Sequence, residues 1–149
     1  MLFSAGLGTR LRPLTNDKPK ALVQINGTTL LENSIKRLLR YGFTDIVVNV
    51  HHFADLVINY LEQNNHFGAN ITISDERHEL LETGGGLQKA ASFFAGESPF
   101  LIMNVDIISD INLANFYDFH CASKALVSLA VRKRHSSRYL LFDKQGKLC

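Results

Sequence analysis

Short apolar runs alternate with amphipathic stretches along this whole chain, and that alternation constrains its fold more than any single residue does. Residues 46–50, 70–74, 100–103 and 125–131 read as strands, and Met1-Leu2-Phe3 as the stub of another. Between them lie helical stretches. The first runs from a Thr29 cap, with Glu32 three residues on as in a capping box, to Gly42 as the terminating residue. Its Leu31, Ile35, Leu38 and Leu39 share one face, and Lys36, Arg37 and Arg40 fall on the other. Further helices are predicted over 55–64, with Val57, Tyr60 and Leu61 inward, over 84–94 and over 113–121. Residues 21–25 read as a short extended piece before the Asn26-Gly27 turn, and 139–148 as strand, turn and strand. Strands alternating with helices define βαβ units and a parallel sheet. The expectation is an α/β, Rossmann-like fold, a mostly parallel sheet flanked by helices, with residues 1–149 forming a portion of a single domain.

Composition narrows the function. At 149 residues the chain can bury a real core, and its 46% hydrophobic and 20% charged content are those of a globular protein. A net charge of +2 argues against a nucleic-acid binder with a broad basic face. No apolar run approaches the roughly 20 residues that span a bilayer, so no membrane partner is expected. Two cysteines, Cys121 and Cys149, are too few for a disulfide framework, and the expected setting is the cytoplasm, with Cys121 a small buried apolar group. The six histidines show no metal-ligand spacing.

Positive charge is concentrated near the start. The segment Ser4-Ala-Gly-Leu-Gly-Thr-Arg-Leu-Arg-Pro-Leu-Thr-Asn-Asp-Lys-Pro-Lys20 places Arg10, Arg12, Lys18 and Lys20 against one acid, Asp17. Gly6 and Gly8 let the backbone turn sharply, and successive N–H groups in such a turn bind anions. The combination suits a polyphosphate. Leu11 stands where a dinucleotide fingerprint needs its third glycine, and no Gly-Lys-Ser/Thr run makes a P-loop. On spacing alone an ordinary strand-to-helix turn with solvated charges fits as well.

Gly6-x-Gly8-Thr9-Arg10-Leu11-x-Pro13-Leu14-Thr15 with Pro19-Lys20 resembles the signature loop of the sugar-1-phosphate nucleotidylyltransferases. Leu81-Glu82-Thr83-Gly84-Gly85-Gly86-Leu87 resembles that family's second glycine loop, and Asn104-Val105-Asp106 its metal motif. The three motifs stand in the family's order, so the resemblance covers nearly the whole chain. It implies transfer of a nucleotidyl group from a nucleoside triphosphate to a sugar 1-phosphate, releasing pyrophosphate. The Glu-Thr-Gly-Gly-Gly form points to UTP with N-acetylmuramate 1-phosphate or a similar hexose 1-phosphate. The alternatives are a GTP-using branch acting on mannose 1-phosphate and a non-catalytic nucleotide-binding or regulatory domain of the same fold.

The resemblance also implies roles. Arg10 and Lys20 are the catalytic candidates: Arg10 as a planar guanidinium for the departing phosphates, Lys20 as a compact ammonium between α-phosphate and sugar phosphate. Ala5, Gly6, Gly8, Thr9, Arg10, Thr83, Gly84, Gly85 and Asn104 are the nucleotide-binding candidates, and Gly86 belongs to the same loop. Asp106 is the ligand for Mg²⁺, which takes one or two carboxylates together with substrate phosphates. The family's second, downstream aspartate has no match here, since Asp110 is not that ligand. Val105 stands where the family usually has glycine, and it is expected to narrow the approach to the metal or to shift the sugar pocket. Both ends read as cut, and an unpaired edge strand would invite a homo-oligomer.

Overall fold

The computed structural model describes residues 1–96, 98–133, 135, 140–146 and 148. Its main sheet has four parallel strands in the order β5-β4-β1-β6: β1 (Leu2–Phe3), β4 (Asp45–Val50), β5 (Asn70–Asp75) and β6 (Met103–Asn104). Leu2 pairs with Val48 on one side and Met103 on the other, and β4 pairs with β5 from Asp45–Asn70 to Val50–Asp75. A small antiparallel hairpin, β2 (Gln24–Ile25) with β3 (Thr28–Thr29), precedes α1 (Leu30–Arg40). The remaining helices are α2 (Ala54–Gln63), α3 (Glu82–Lys89) and α4 (Leu113–Ser123). This is the expected α/β architecture.

Side-chain alternation along the strands divides the core between the two faces of the sheet. Leu2, Ile46, Val48 and Val50 pack with Leu31 and Ile35 of α1, Val57 and Leu61 of α2 and Leu113 of α4. Phe3 and Val47 point the other way, toward Ala90 and Leu87 behind α3. Burying each of the larger aliphatic side chains contributes about 1.5–3 kcal/mol, so the first cluster carries most of the stability.

Local chemistry sets the ends of α1. Thr29 Oγ1 accepts the Glu32 N–H at 3.0 Å, as the capping pattern predicts. The reciprocal half of the box is not made, because the Glu32 carboxylate is taken by Lys36 (2.6 Å) and the Tyr60 hydroxyl (2.9 Å). At the other end Gly42, with φ of 82°, gives its N–H to Leu39, and Phe43 gives its N–H to Leu38. That is the Schellman pattern, which needs a left-handed residue there.

Several expectations are corrected. Residues 125–131 are not a strand: no strand lies beside them among the described residues, and Leu126, Val127 and Val131 are exposed. The ladder at 100–103 covers only Met103–Asn104, because β1 offers just two partners, and Phe100 and Ile102 stay exposed. Residues 20–22 form a 3₁₀ turn instead of an extended piece. The helix over 84–94 begins earlier, at Glu82, and gives way to a 3₁₀ turn over Ala91–Phe94. Cys121 is exposed, on the solvent side of α4. Near the end Phe142 and Leu148 form an antiparallel bridge around a turn closed by the Gly146 N–H on Asp143 O; Tyr139, like Arg134 and Cys149, lies outside the described residues. No helix among the described residues is long and apolar enough to cross a membrane.

Candidate active site

Strand order reverses beside β1: β4 and β5 lie to one side, β6 to the other. Ligands of open α/β sheets bind beyond the strand carboxyl ends at such a point. A cleft of about 670 Å³ opens there, lined by Ala5 to Leu11 after β1, Lys20, Asn49 of β4, Glu76 after β5, Glu82 and Thr83 of α3, and Asn104 and Asp106 at β6.

The first loop is shaped by Lys20. Gly8 sits in the left-handed region with φ of 66°, and Thr15 Oγ1 donates to its carbonyl at 2.9 Å. A Cβ on Gly8 would come within 3.1 Å of both Lys20 Cβ and Thr15 Cγ2, and one on Gly6 would lie 3.6 Å from Lys20 Nζ. Gly8 therefore makes room for the lysine stem as well as permitting the turn, whereas a side chain at Gly6 would make an ordinary contact with the lysine ammonium. Pro19, with φ −68° and ψ 153°, delivers Lys20 to the loop from an extended backbone. Among the described residues no hydrogen bond uses the N–H groups of Gly6, Leu7, Gly8, Thr9 or Arg10. Five donors are left for a ligand, the arrangement that suits an anion.

Lys20 Nζ lies 3.1 Å from Asp106 Oδ2, joining the first loop to the end of β6. The lysine side chain is only 15% exposed and the aspartate 34%, so this pair sits in the wall of the cleft and not on the open surface. Alternation along the β6 segment puts Asn104 and Asp106 on the cleft side. Val105 is buried in the core, and its carbonyl accepts the Ser34 hydroxyl at 3.2 Å. The expectation that Val105 narrows the approach to a metal is thus overturned: its side chain faces away from the cleft.

The structure brings together Ala5, Gly6, Gly8, Thr9, Arg10, Lys20, Thr83, Asn104 and Asp106. Arg12 does not line the cleft. Gly84 and Gly85 are also not among the lining residues: they lie within α3, where a Cβ on Gly85 would meet Leu81 Cβ at 2.9 Å and one on Gly84 would meet nothing within 4 Å. Gly86 is buried, and a Cβ there would lie 2.7 Å from Glu76 Oε1. That glycine serves close packing of α3 on the strand ends.

Sequence reasoning missed Asn49 and Glu76, which are 2% and 1% exposed and both line the cleft. A signal was present: Asn49 interrupts the apolar run of β4 near its carboxyl end, and Glu76 immediately follows β5, the positions where such sheets bind ligands. Glu82, with a left-handed φ of 55° at the start of α3, also lines the cleft. Among the described residues no group of three or more His, Cys, Asp or Glu side chains forms a ready metal cage. Asp106 contributes one carboxylate at the β6 end of the cleft, which matches magnesium's habit of taking few protein ligands and drawing the rest from water and phosphate.

Comparison with known proteins agrees with this geometry. The family model described as Nucleotidyl transferase matches residues 1–141. The chain is 48% identical over 110 residues to N-acetylmuramate alpha-1-phosphate uridylyltransferase of Caulobacter vibrioides, covering 72% of this chain and 45% of that protein. It is 33% identical over 150 residues to mannose-1-phosphate guanyltransferase of Yarrowia lipolytica, covering 98% of this chain and 41% of that one. Among solved structures, HddC from Yersinia pseudotuberculosis complexed with GMP-PN superposes with a TM-score of 0.71 at 27% identity, over 80% of this chain and 52% of that one. The chain spans a little under half the length of these two curated relatives.

Proposed function

This chain belongs to the nucleotidyl transferase family, and from that premise we propose that it supplies the phosphate-binding and catalytic half of a site that transfers a nucleotidyl group from a nucleoside triphosphate to a sugar 1-phosphate. UTP with N-acetylmuramate 1-phosphate is the favoured pair, supported by the activity for which the Caulobacter relative, 48% identical, is named. GTP with a mannose 1-phosphate is the second reading, supported by the Yarrowia relative and by the nucleotide analogue in the HddC complex. The setting is the cytoplasm, where triphosphates and sugar phosphates are available. A homo-oligomer is also proposed, on the ground that an unpaired edge strand near the end of the chain would invite pairing.

One observation carries the reading: Lys20 and Asp106, 86 positions apart, meet at 3.1 Å beside five unused backbone N–H groups. In-line phosphoryl chemistry needs positioning and charge neutralisation more than a covalent intermediate. The free N–H groups and the Arg10 guanidinium hold the triphosphate tail as its negative charge shifts toward the leaving pyrophosphate. Lys20 turns its ammonium from Asp106 to bridge the α-phosphate and the sugar-phosphate oxygen that attacks its phosphorus as the bond to pyrophosphate breaks. Mg²⁺, when bound at Asp106, supplies further neutralisation of the phosphates. Ala5, Thr9, Thr83 and Asn104 orient base, ribose or sugar through backbone and side-chain polar groups, with Gly6 and Gly8 keeping the first loop open to the ligand.

The test is pyrophosphate release by the full-length protein with Mg²⁺, over a panel of triphosphates and sugar 1-phosphates. The expected result is a maximum with UTP and N-acetylmuramate 1-phosphate, and a loss of about 100-fold or more in kcat for Lys20→Ala. Turnover unchanged by that substitution sinks the assignment of Lys20. Magnesium-dependent triphosphate binding with no turnover on any sugar favours a regulatory domain instead.

A further inference from the structure

We infer that Asn49 and Glu76 form a positioning pair that braces the two ligand-binding loops against each other; the inference builds on the nucleotidyl-transfer reading above. The Asn49 side chain sits between them. Its Oδ1 accepts the Ser4 N–H at 2.7 Å and the Ala5 N–H at 3.3 Å, where the first loop leaves β1. Its Nδ2 donates to Glu76 Oε1 at 2.9 Å, and Glu76 Oε2 accepts the Leu81 N–H at 3.4 Å, at the start of α3. Ser4 Oγ also donates to the Asn49 carbonyl, and His51 Nδ1 meets the Glu76 carbonyl at 2.7 Å.

Three features make this more than incidental packing. First, the amide orientation has one chemical solution: two N–H donors face one end of the Asn49 side chain and a carboxylate faces the other. Second, Glu76 is a carboxylate with almost no solvent contact, and among the described residues no cation pairs with it. A buried carboxylate is costly without hydrogen bonds, and Asn49 supplies the shorter of the two that reach its oxygens, 2.9 Å against 3.4 Å from the Leu81 N–H. Third, Gly86 leaves only 2.7 Å between an added Cβ and Glu76 Oε1 and 3.3 Å to Asn49 Nδ2, so α3 is seated directly on the pair. The brace therefore reaches the backbone of the first loop at Ser4 and Ala5 and that of the second at Leu81 and Gly86. Both loops line the cleft. Asn49 and Glu76 act on the nucleotide through those loops.

The hydrogen-bond pattern allows a test by exchange of roles. N49D keeps the acceptor for Ser4 and Ala5 but sets a second carboxylate against Glu76. E76Q sets an amide against the Asn49 amide. The double variant N49D/E76Q restores every bond with the donor and acceptor between the two positions reversed, at unchanged total charge. Binding of UTP with Mg²⁺ is measured by calorimetry on the full-length protein, alongside hydrogen exchange of the Ser4, Ala5 and Leu81 amides.

Each single variant is expected to weaken UTP binding tenfold or more, the scale of about one lost buried hydrogen bond, and to speed exchange at all three amides. The double is expected to recover both to within about threefold of the natural protein. Should N49D alone fail to fold, a folded double that binds UTP is the same rescue. Single variants indistinguishable from the natural protein overturn the inference. So does a double as weak as the worse single, which would mean that each residue touches the ligand directly. If the natural protein itself binds no triphosphate, the nucleotidyl-transfer reading fails, and the exchange data alone then judge the brace.

Discussion

A methyl group added at Gly86 would sit 2.7 Å from a buried carboxylate oxygen, whereas one at Gly84 would meet nothing within 4 Å. Two glycines of one motif, separated by a single residue, thus face different physics. Gly86→Ala is expected to cost about 1–3 kcal/mol through overpacking. Gly84→Ala is expected to be neutral or to stabilise α3 by up to about 1 kcal/mol, since alanine is the better helix former. Urea denaturation of the two variants checks this, and equal losses at both positions would refute it. The motif was legible as glycine-rich, but the separate surroundings of its glycines were not: Gly84 and Gly85 lie within α3, and Gly86 packs on Glu76. For Lys20 the residue-level reading went further. Its type and its place after Pro19 were visible in the chain, while its 3.1 Å contact with Asp106 belongs to the fold.

At the scale of elements, the central sheet depends on two very short strands. Met1 adds a tie: its amino group donates to the Leu101 carbonyl at 2.6 Å, beside the β1–β6 ladder. Burial pushes that amine from its ordinary value near 8.0 down to about 6. The folded state therefore resists a proton that the unfolded chain accepts. For the chain that begins at Met1, stability is highest above pH 8, falls as pH drops from 8 to 6, and levels off below 6. The loss is at most about 2.7 kcal/mol for two pH units of separation. Denaturant titrations between pH 5.5 and 8.5 measure it, and acetylating the amino terminus is expected to remove this component of the slope. Helices were read well at this scale because caps and 3.6-residue periodicity are local: Thr29, Gly42 and the Leu31–Ile35–Leu38 face all appear as expected. Strands were read less well. The apolar residues 125–131 have the composition of a strand, yet a strand exists only where a neighbour offers a ladder, and local sequence does not report that neighbour.

For the whole molecule, the cleft at the reversal of strand order couples ligand to stability. A triphosphate that binds only the folded state is expected to raise the unfolding free energy by about 2.7 kcal/mol at 100 times its dissociation constant. Thermal unfolding across UTP, GTP, CTP and dTTP with Mg²⁺ ranks the bases, and no shift with any of them would remove the nucleotide site from consideration. By itself the order of residues determined the α/β class and the helix boundaries set by Thr29 and Gly42, because capping and periodicity act over a few neighbouring positions; the candidates Arg10, Lys20 and Asp106 came from the resemblance of three ordered motifs to a known family. Only the tertiary structure decided that Lys20 pairs with Asp106, that Val105 turns into the core, and that Asn49 and Glu76 join the two loops. Those outcomes depend on strand register and on which carboxyl ends lie side by side, relations between segments tens of residues apart that no local pattern encodes.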